Sequence, residues 1–138
     1  RRVLFRSKVM GSMRPLRVTR KPLAPEFQQT EIRRITELIS RAVNPLAVFC
    51  FGSASEGKAT DQSDFDFLIV LDDSASVQAA RLKLRPCLPL SEFPVDIIWK
   101  KKSDFLKQRE VGGISMVAWE DGICTYSLDN NLFHSGQK

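Results

Sequence analysis

Asp64 and Asp66 stand at the entrance of an apolar run, Phe67-Leu68-Ile69-Val70-Leu71, and two acids in that position need a chemical reason. Side chains alternate along a strand, so both carboxylates point to one face while Phe65 and Phe67 point to the other. Their Cα atoms would lie about 6.6 Å apart at ~3.3 Å per residue. At an effective dielectric of about 20, two full charges at that spacing repel by roughly 2.5 kcal/mol. A divalent cation removes the conflict. Mg²⁺ suits it, because it takes hard carboxylate oxygens together with the phosphate oxygens of a substrate. Just upstream, Gly52-Ser53 offers the phosphate end of such a site. Glycine lets backbone approach a phosphate closely, Ser53 adds a hydroxyl, and the free N–H groups of a helix start attract anions.

Three elements must position these residues. Leu46-Ala47-Val48-Phe49-Cys50-Phe51 is a short apolar run between Pro45 and Gly52, the pattern of a strand buried on both faces. The run from Phe67 to Leu71 reads as a second strand inside the same sheet. Val95-Asp96-Ile97-Ile98-Trp99 is a third strand, ended by Lys100-Lys101-Lys102, and it carries one acid between apolar neighbours. Alone, Asp96 would read as an edge-strand acid facing water. Beside Asp64 and Asp66 it is the additional carboxylate that a two-metal site needs.

Gly-Ser, ten intervening residues, then Asp-x-Asp resembles the signature of the DNA polymerase β-type nucleotidyltransferase superfamily, and the short chain is similar to its minimal nucleotidyltransferase branch. The matching positions are Gly52, Ser53, Gly57, Ser63, Asp64 and Asp66, with Asp96 as the family's later carboxylate. The likeness runs from about Leu46 to Tyr126, where Trp-Glu-Asp-Gly-Ile-Cys-Thr-Tyr is similar to the way minimal domains close. It implies an α+β fold, a small mixed sheet backed by helices. It implies that Asp64, Asp66 and Asp96 hold two Mg²⁺ ions. Asp96 would also help orient or deprotonate the nucleophile. Gly52 and Ser53 would bind the β- and γ-phosphates of an NTP, with ATP as the expected donor, and Ser63 belongs to the same nucleotide-binding set. A nucleoside monophosphate would then pass to a hydroxyl acceptor with release of pyrophosphate. Only 42 residues follow Asp96, too few for a sizeable acceptor domain, so another chain is expected to supply that surface. The resemblance implies a HEPN-domain protein partner, in a toxin–antitoxin pair that the enzyme would nucleotidylate. The alternatives are an inactive antitoxin acting by contact, and a small-molecule transferase of the aminoglycoside type.

The same glycine turn comes close to a phosphate-binding G-x-x-x-x-G-K-[ST] loop through Gly52, Gly57 and Lys58. Ala59 stands where a metal-binding hydroxyl is required, Glu56 would put an anion in the phosphate cradle, and no repeated βαβ pattern follows. A plain strand–turn–strand is the other alternative, since Gly and Ser are ordinary turn residues.

Around this centre, Pro25 to about Val43 reads as a helix whose Ile32, Ile35, Leu38, Ile39 and Ala42 form one core-facing stripe, ended by Asn44-Pro45. A second helix, capped by Asp73 or Ser74, runs to about Arg85, with Asp72 and Asp73 as loop and cap residues rather than ligands. Ser103-Asp104 caps a short helix to about Glu110. Ile114 to Glu120 forms another, stopped near Gly122, and Ile123 to Tyr126 is a last strand. No sequence repeats are present, and His134 is too isolated to make a metal site.

The 138 residues, 43% hydrophobic and 27% charged, suit one domain with a real core. No run approaches the ~20 apolar residues of a membrane span, and no apolar segment follows the basic start as a secretory signal would require. Cys50, Cys87 and Cys124 lack metal-site spacing, and reduced thiols in a cytoplasmic protein are expected. The net charge of +5 is misleading. Eight of the 21 basic residues lie in residues 1–24, which hold no acid, and the other 13 face all 16 acids, a balance of −3. Residues 1–24 are therefore expected to be a solvated basic extension, with nucleic-acid contact the less favoured reading. Residues 25–128 are expected to form the domain, and 129–138 a loose tail. Arg2-Val-Leu-Phe-Arg-Ser7 is what a common sequencing adapter gives when translated in one frame, so residues 1–7 are expected to be an assembly artefact, with Met10 and Met13 as candidate starts.

Overall fold

The computed structural model describes residues 23–52, 55, 65–88 and 95–133. Its first element is helix α1, Pro25–Val43. Pro25 occupies the first turn, where a missing N–H costs nothing. Glu26 lies at the positive end of the helix and Arg41 at the negative end. Asn44 closes the helix in the left-handed conformation, φ 48°, with its N–H donating to the Ser40 carbonyl. The expected stripe faces the core, with Ile35 and Ile39 fully buried.

Four strands follow: β1 (Ala47–Phe51), β2 (Phe65–Leu71), β3 (Val95–Lys101) and β4 (Ile123–Ser127). They form one sheet in the order β3-β2-β1-β4. β1 pairs antiparallel with β2 and β4, and β2 pairs parallel with β3. This is the mixed α+β sheet that the sequence led us to expect. Both of its faces are covered, which is why β1 and β2 read as continuous apolar runs rather than alternating ones. Val48, Cys50, Phe65, Phe67, Ile69 and Leu71 pack under α1 and helix α2, Val77–Leu84. Ala47, Phe49, Phe51, Leu68 and Val70 pack under helices α3 (Lys102–Gln108), α4 (Ile114–Asp121) and α5 (Asn130–Phe133).

Four local expectations need correction, one of them the start of the helix after β3, which follows Lys101 with no side-chain cap from Ser103 or Asp104. Ser76, not Asp73 or Ser74, caps α2, its side chain accepting from the Ala79 N–H at 3.1 Å. Asp73 instead accepts from the Ser103 N–H at 3.0 Å, tying the end of β2 to the start of α3. β3 continues through Lys100 and Lys101, because its parallel pairing with Val70 and Leu71 persists to the end of β2. Residues from Asp129 onward are not all a loose tail. The Asp129 carbonyl accepts from the Leu132 and Phe133 N–H groups, and Phe133 is 1% exposed. Its ring lies 6.5 Å from Phe49 and 6.1 Å from Phe105. Arg109 clamps the same segment, stacking 4.1 Å over Trp119 and donating to the Leu132 carbonyl at 3.0 Å. The readings of residues 1–22 and of His134 fall outside the described residues. Among the described residues, no helix is long and apolar enough to cross a membrane.

Phe133→Ala should therefore cost about 3–5 kcal/mol, read as a lowered denaturation midpoint; a solvated tail would give no change. The thiols give a second check. Burial pushes Cys50 up to about 12 and Cys124 up to about 11, whereas the Cys87 side chain is exposed. Thiolate is the reactive form, so near pH 8 the folded chain should react quickly with a thiol reagent at Cys87 alone, and at all three cysteines once unfolded. The unfolded chain ionises the two buried thiols first, so it binds fewer protons, and stability should fall as pH rises from about 9 toward 11–12.

Candidate active site

The C-terminal end of β1 and the N-terminal ends of β2 and β3 meet at one end of the sheet. Phe51 pairs with Asp66, and Asp66 pairs in register with Asp96 on the neighbouring parallel strand. Register partners in a parallel pair share a face, with the strands about 4.8 Å apart. Both aspartates are half-buried. They lie on the α3–α5 face, since the residues that alternate with them, Phe65, Phe67, Val95 and Ile97, pack on the α1–α2 face. Beneath them, Phe49, Leu68 and Ile98 form an apolar floor.

Gly52 begins the turn that leaves β1. Its φ of +85° is one that L side chains rarely adopt. A Cβ placed there would lie 2.7 Å from the Asp66 Oδ2. Two independent facts thus require glycine: the backbone conformation, and the carboxylate pressed against the bend. Ser55 closes the bend, its N–H donating to the Gly52 carbonyl at 3.2 Å and its hydroxyl at 2.8 Å. Sequence reasoning did not assign Ser55 a part. The available signal was a serine three residues beyond a turn glycine, a spacing from which a hydroxyl can bond back to the turn backbone. The charge on Asp66 is also felt behind the sheet, where it adds to burial in raising the Cys50 thiol.

Of the expected site residues, the structure brings together Gly52, Asp66 and Asp96. Ser53, Ser63 and Asp64 lie outside the described residues, as do Glu56, Gly57, Lys58 and Ala59 of the competing loop pattern. Among the described residues, no three His, Cys, Asp or Glu side chains cluster as metal ligands.

Residues 32–115 match the family model described as "Nucleotidyltransferase domain", a span that contains both arms of the site and the bend between them. The chain belongs to that family. The nucleotidyltransferase fold also recurs in solved structures. A candidate nucleotidyltransferase from Sulfolobus solfataricus superposes with a TM-score of 0.50 at 18% identity, over 78% of this chain and 91% of that one. A toxin–antitoxin complex with AMP-PNP superposes with a TM-score of 0.51 at 17% identity, over 71% of this chain and 74% of that one. At these identities the likeness is one of fold. No curated protein matches the sequence.

The contact between Gly52 and Asp66 can be measured in this nucleotidyltransferase domain by a double-mutant cycle. Gly52→Ala should destabilise by about 1–3 kcal/mol, from the positive φ and the displaced carboxylate together. In an Asp66→Ala background the second part disappears, so the same change should cost measurably less. Equal costs in the two backgrounds, read by denaturant unfolding, would mean that the carboxylate does not sit against the bend.

Proposed function

We propose that this chain transfers a nucleoside monophosphate from an NTP, with ATP as donor, to a hydroxyl on a partner protein, releasing pyrophosphate. The observation that carries this reading is the in-register pair Asp66 and Asp96, on one face, beside a glycine bend that admits no side chain. Two hard oxygen donors side by side, with Asp64 two residues away in the chain, fit Mg²⁺, and the family resemblance gives two ions. Bound there, Mg²⁺ would neutralise phosphate charge and lower the pKa of the attacking hydroxyl.

The chain's own residues have separable tasks. Gly52 and Ser53 would carry the β- and γ-phosphates on backbone N–H groups and the Ser53 hydroxyl, with Ser63 contributing to the same cradle. Asp96 would hold the acceptor hydroxyl and take its proton as the oxygen attacks the α-phosphorus. One P–O bond forms to the acceptor, the bond to the bridging oxygen of the β-phosphate breaks, and pyrophosphate leaves with the electron pair. The rate gain comes from positioning and from charge stabilisation. Asp96 suits the acceptor side, because among the described strands β3 is the outer one.

The fold likeness to a toxin–antitoxin complex with AMP-PNP supports a protein acceptor and an adenine nucleotide. We take the partner to be a HEPN-domain toxin and this chain its antitoxin, in a cytoplasmic pair. The same likeness supports one second reading, an antitoxin that neutralises its partner by contact alone.

Incubating the chain with α-³²P-labelled ATP, Mg²⁺ and the purified product of the adjacent gene should label that protein. Asp66→Asn and Asp96→Asn should each lower the transfer rate by about 10²- to 10³-fold without changing the melting temperature by more than a few degrees. Omitting Mg²⁺ should abolish transfer. Neutralisation that persists in both variants, with no label transferred by the wild type, would establish the contact reading instead.

A further inference from the structure

A groove of about 430 Å³ lies between α2 and β3, on the face of the sheet opposite Asp66 and Asp96, and the proposed chemistry does not use it. Its floor is apolar: Leu84 of α2, Leu88 after the turn that ends the helix, and Val95, Ile97 and Trp99 of β3. The three β3 residues alternate with Asp96 and Ile98, so they share one face. α1 and α2 pack against each other over this side of the sheet. Their layer leaves Val95, Ile97 and Trp99 half-buried, on the strand that is outermost among those described.

The rim of this groove has one sign. Arg81 and Arg85 are exposed and stand one helical turn apart on the same side. Among the described residues neither forms an ion pair, and no acid lines the groove. α2 itself contains no acid. Asp72 and Asp73, at the other end of that helix, are engaged by Ser74 and Ser103. Two guanidinium groups without partners beside an apolar floor select carboxylates that flank apolar side chains. A nucleic acid would want aromatic stacking platforms, and the floor offers Trp99 among four aliphatic side chains. Residues 1–24 of this chain carry eight basic residues and no acid, so they would meet like charge. A helix fits the space: laid beside α2 and over β3, at the usual interaxial distance of about 8–10 Å, it would extend the α1–α2 layer across the outer strand.

We infer that the acceptor protein docks in this groove through an acidic amphipathic helix, an inference that rests on the transfer reaction proposed above for the partner's identity. The apolar face of that helix seats on Leu84, Leu88 and Trp99, with anchors spaced three and four residues apart. Asp or Glu residues on its flank pair with Arg81 and Arg85. Val95, at one end of the groove, precedes Asp96 in the chain. Docking here therefore holds the partner against the strand that carries the acceptor-side acid of the proposed reaction.

Calorimetric titration of the full chain with the purified product of the adjacent gene, without nucleotide, tests the inference. The double variant Arg81→Glu/Arg85→Glu should weaken binding at least about tenfold. Both side chains are exposed, so its far-UV spectrum should not change. Arg33→Glu makes the same kind of charge change on α1, on the β4 side of the sheet, and should alter the affinity less than about twofold. In the labelled-ATP assay the double variant should raise the KM for the protein acceptor and leave kcat within about twofold, whereas Asp96→Asn should lower kcat. Full affinity in the double variant would overturn the inference, as would an equal loss in Arg33→Glu. So would a wild-type chain that does not bind the partner, whether or not it binds RNA or a second copy of itself through the two arginines. Binding that depends on Arg81 and Arg85, with no label transferred, would refute the transfer reaction and leave the docking site standing.

Discussion

The site depends on a steric contact between a backbone and a carboxylate. The Asp66 Oδ2 occupies the space that a Cβ on residue 52 would need. That contact links the exit from β1 to the entry into β2, two points separated by thirteen residues of chain. The antiparallel register sets it, since Phe51 faces Asp66 and Gly52 is the next residue along. The parallel register then carries the geometry one strand outward and sets Asp96 beside Asp66. A slip of one residue in either ladder would turn a carboxylate to the opposite face, among the side chains under α1 and α2. Such a slip is opposed by Val95, Ile97 and Trp99, which pack on that face, and by Ile98, which packs on the other.

Two carboxylates on adjacent strands repel one another, by roughly 3 kcal/mol for full charges about 5 Å apart at an effective dielectric near 20. The fold accepts this at one end of the sheet, where both residues are only half-buried. Elsewhere it is dense. β1 is buried along its entire length, and Phe49 contacts three aromatic rings at once. Large aromatic burial of this kind is where most of the stabilisation must come from, and it lies directly beneath the acids. The carboxylates are thus set on a rigid apolar floor, the condition under which a cation or phosphate would be held without reorganisation.

Much of this was legible from local pattern. The 3.6-residue period of α1 and its Pro25 and Asn44-Pro45 boundaries are written in the sequence, and the helix ends where those residues place it. The short apolar runs gave β1 and the centre of β2 for the same reason. The placement of Asp66 and Asp96 on one face was legible only through the family resemblance, because periodicity cannot say which strands become neighbours. The misreadings have one physical origin: partners distant in sequence. Asp73 looked like a cap for the helix that follows it, yet its carboxylate bonds to Ser103, thirty residues on. Phe133 looked like part of a tail because Asn130-Asn131 and His134 to Lys138 on either side are polar or small; its burial depends on Phe49 and Phe105. Lys100 and Lys101 looked like a strand end because charge usually marks one, but the pairing offered by β2 extended the strand through them.

The strand order also explains why the ambiguity of a lone strand acid disappears in the folded chain. A parallel partner for β2 requires a crossover, which the chain makes through α2 on one face of the sheet. The crossover delivers β3 to the far side of β2 from β1, so Asp96 arrives on an outer strand while Asp66 stays on an inner one. The inner acid is fixed from both sides, by the bend at Gly52 and by β3. Among the described strands, the outer acid has β2 beside it on one side only. In the reaction proposed above, the acid held against the Gly52 bend would serve the donor side and Asp96, on the outer strand, the acceptor side. The difference between the two acids follows from connectivity, which periodicity along the chain cannot show, because it does not say which strands become neighbours.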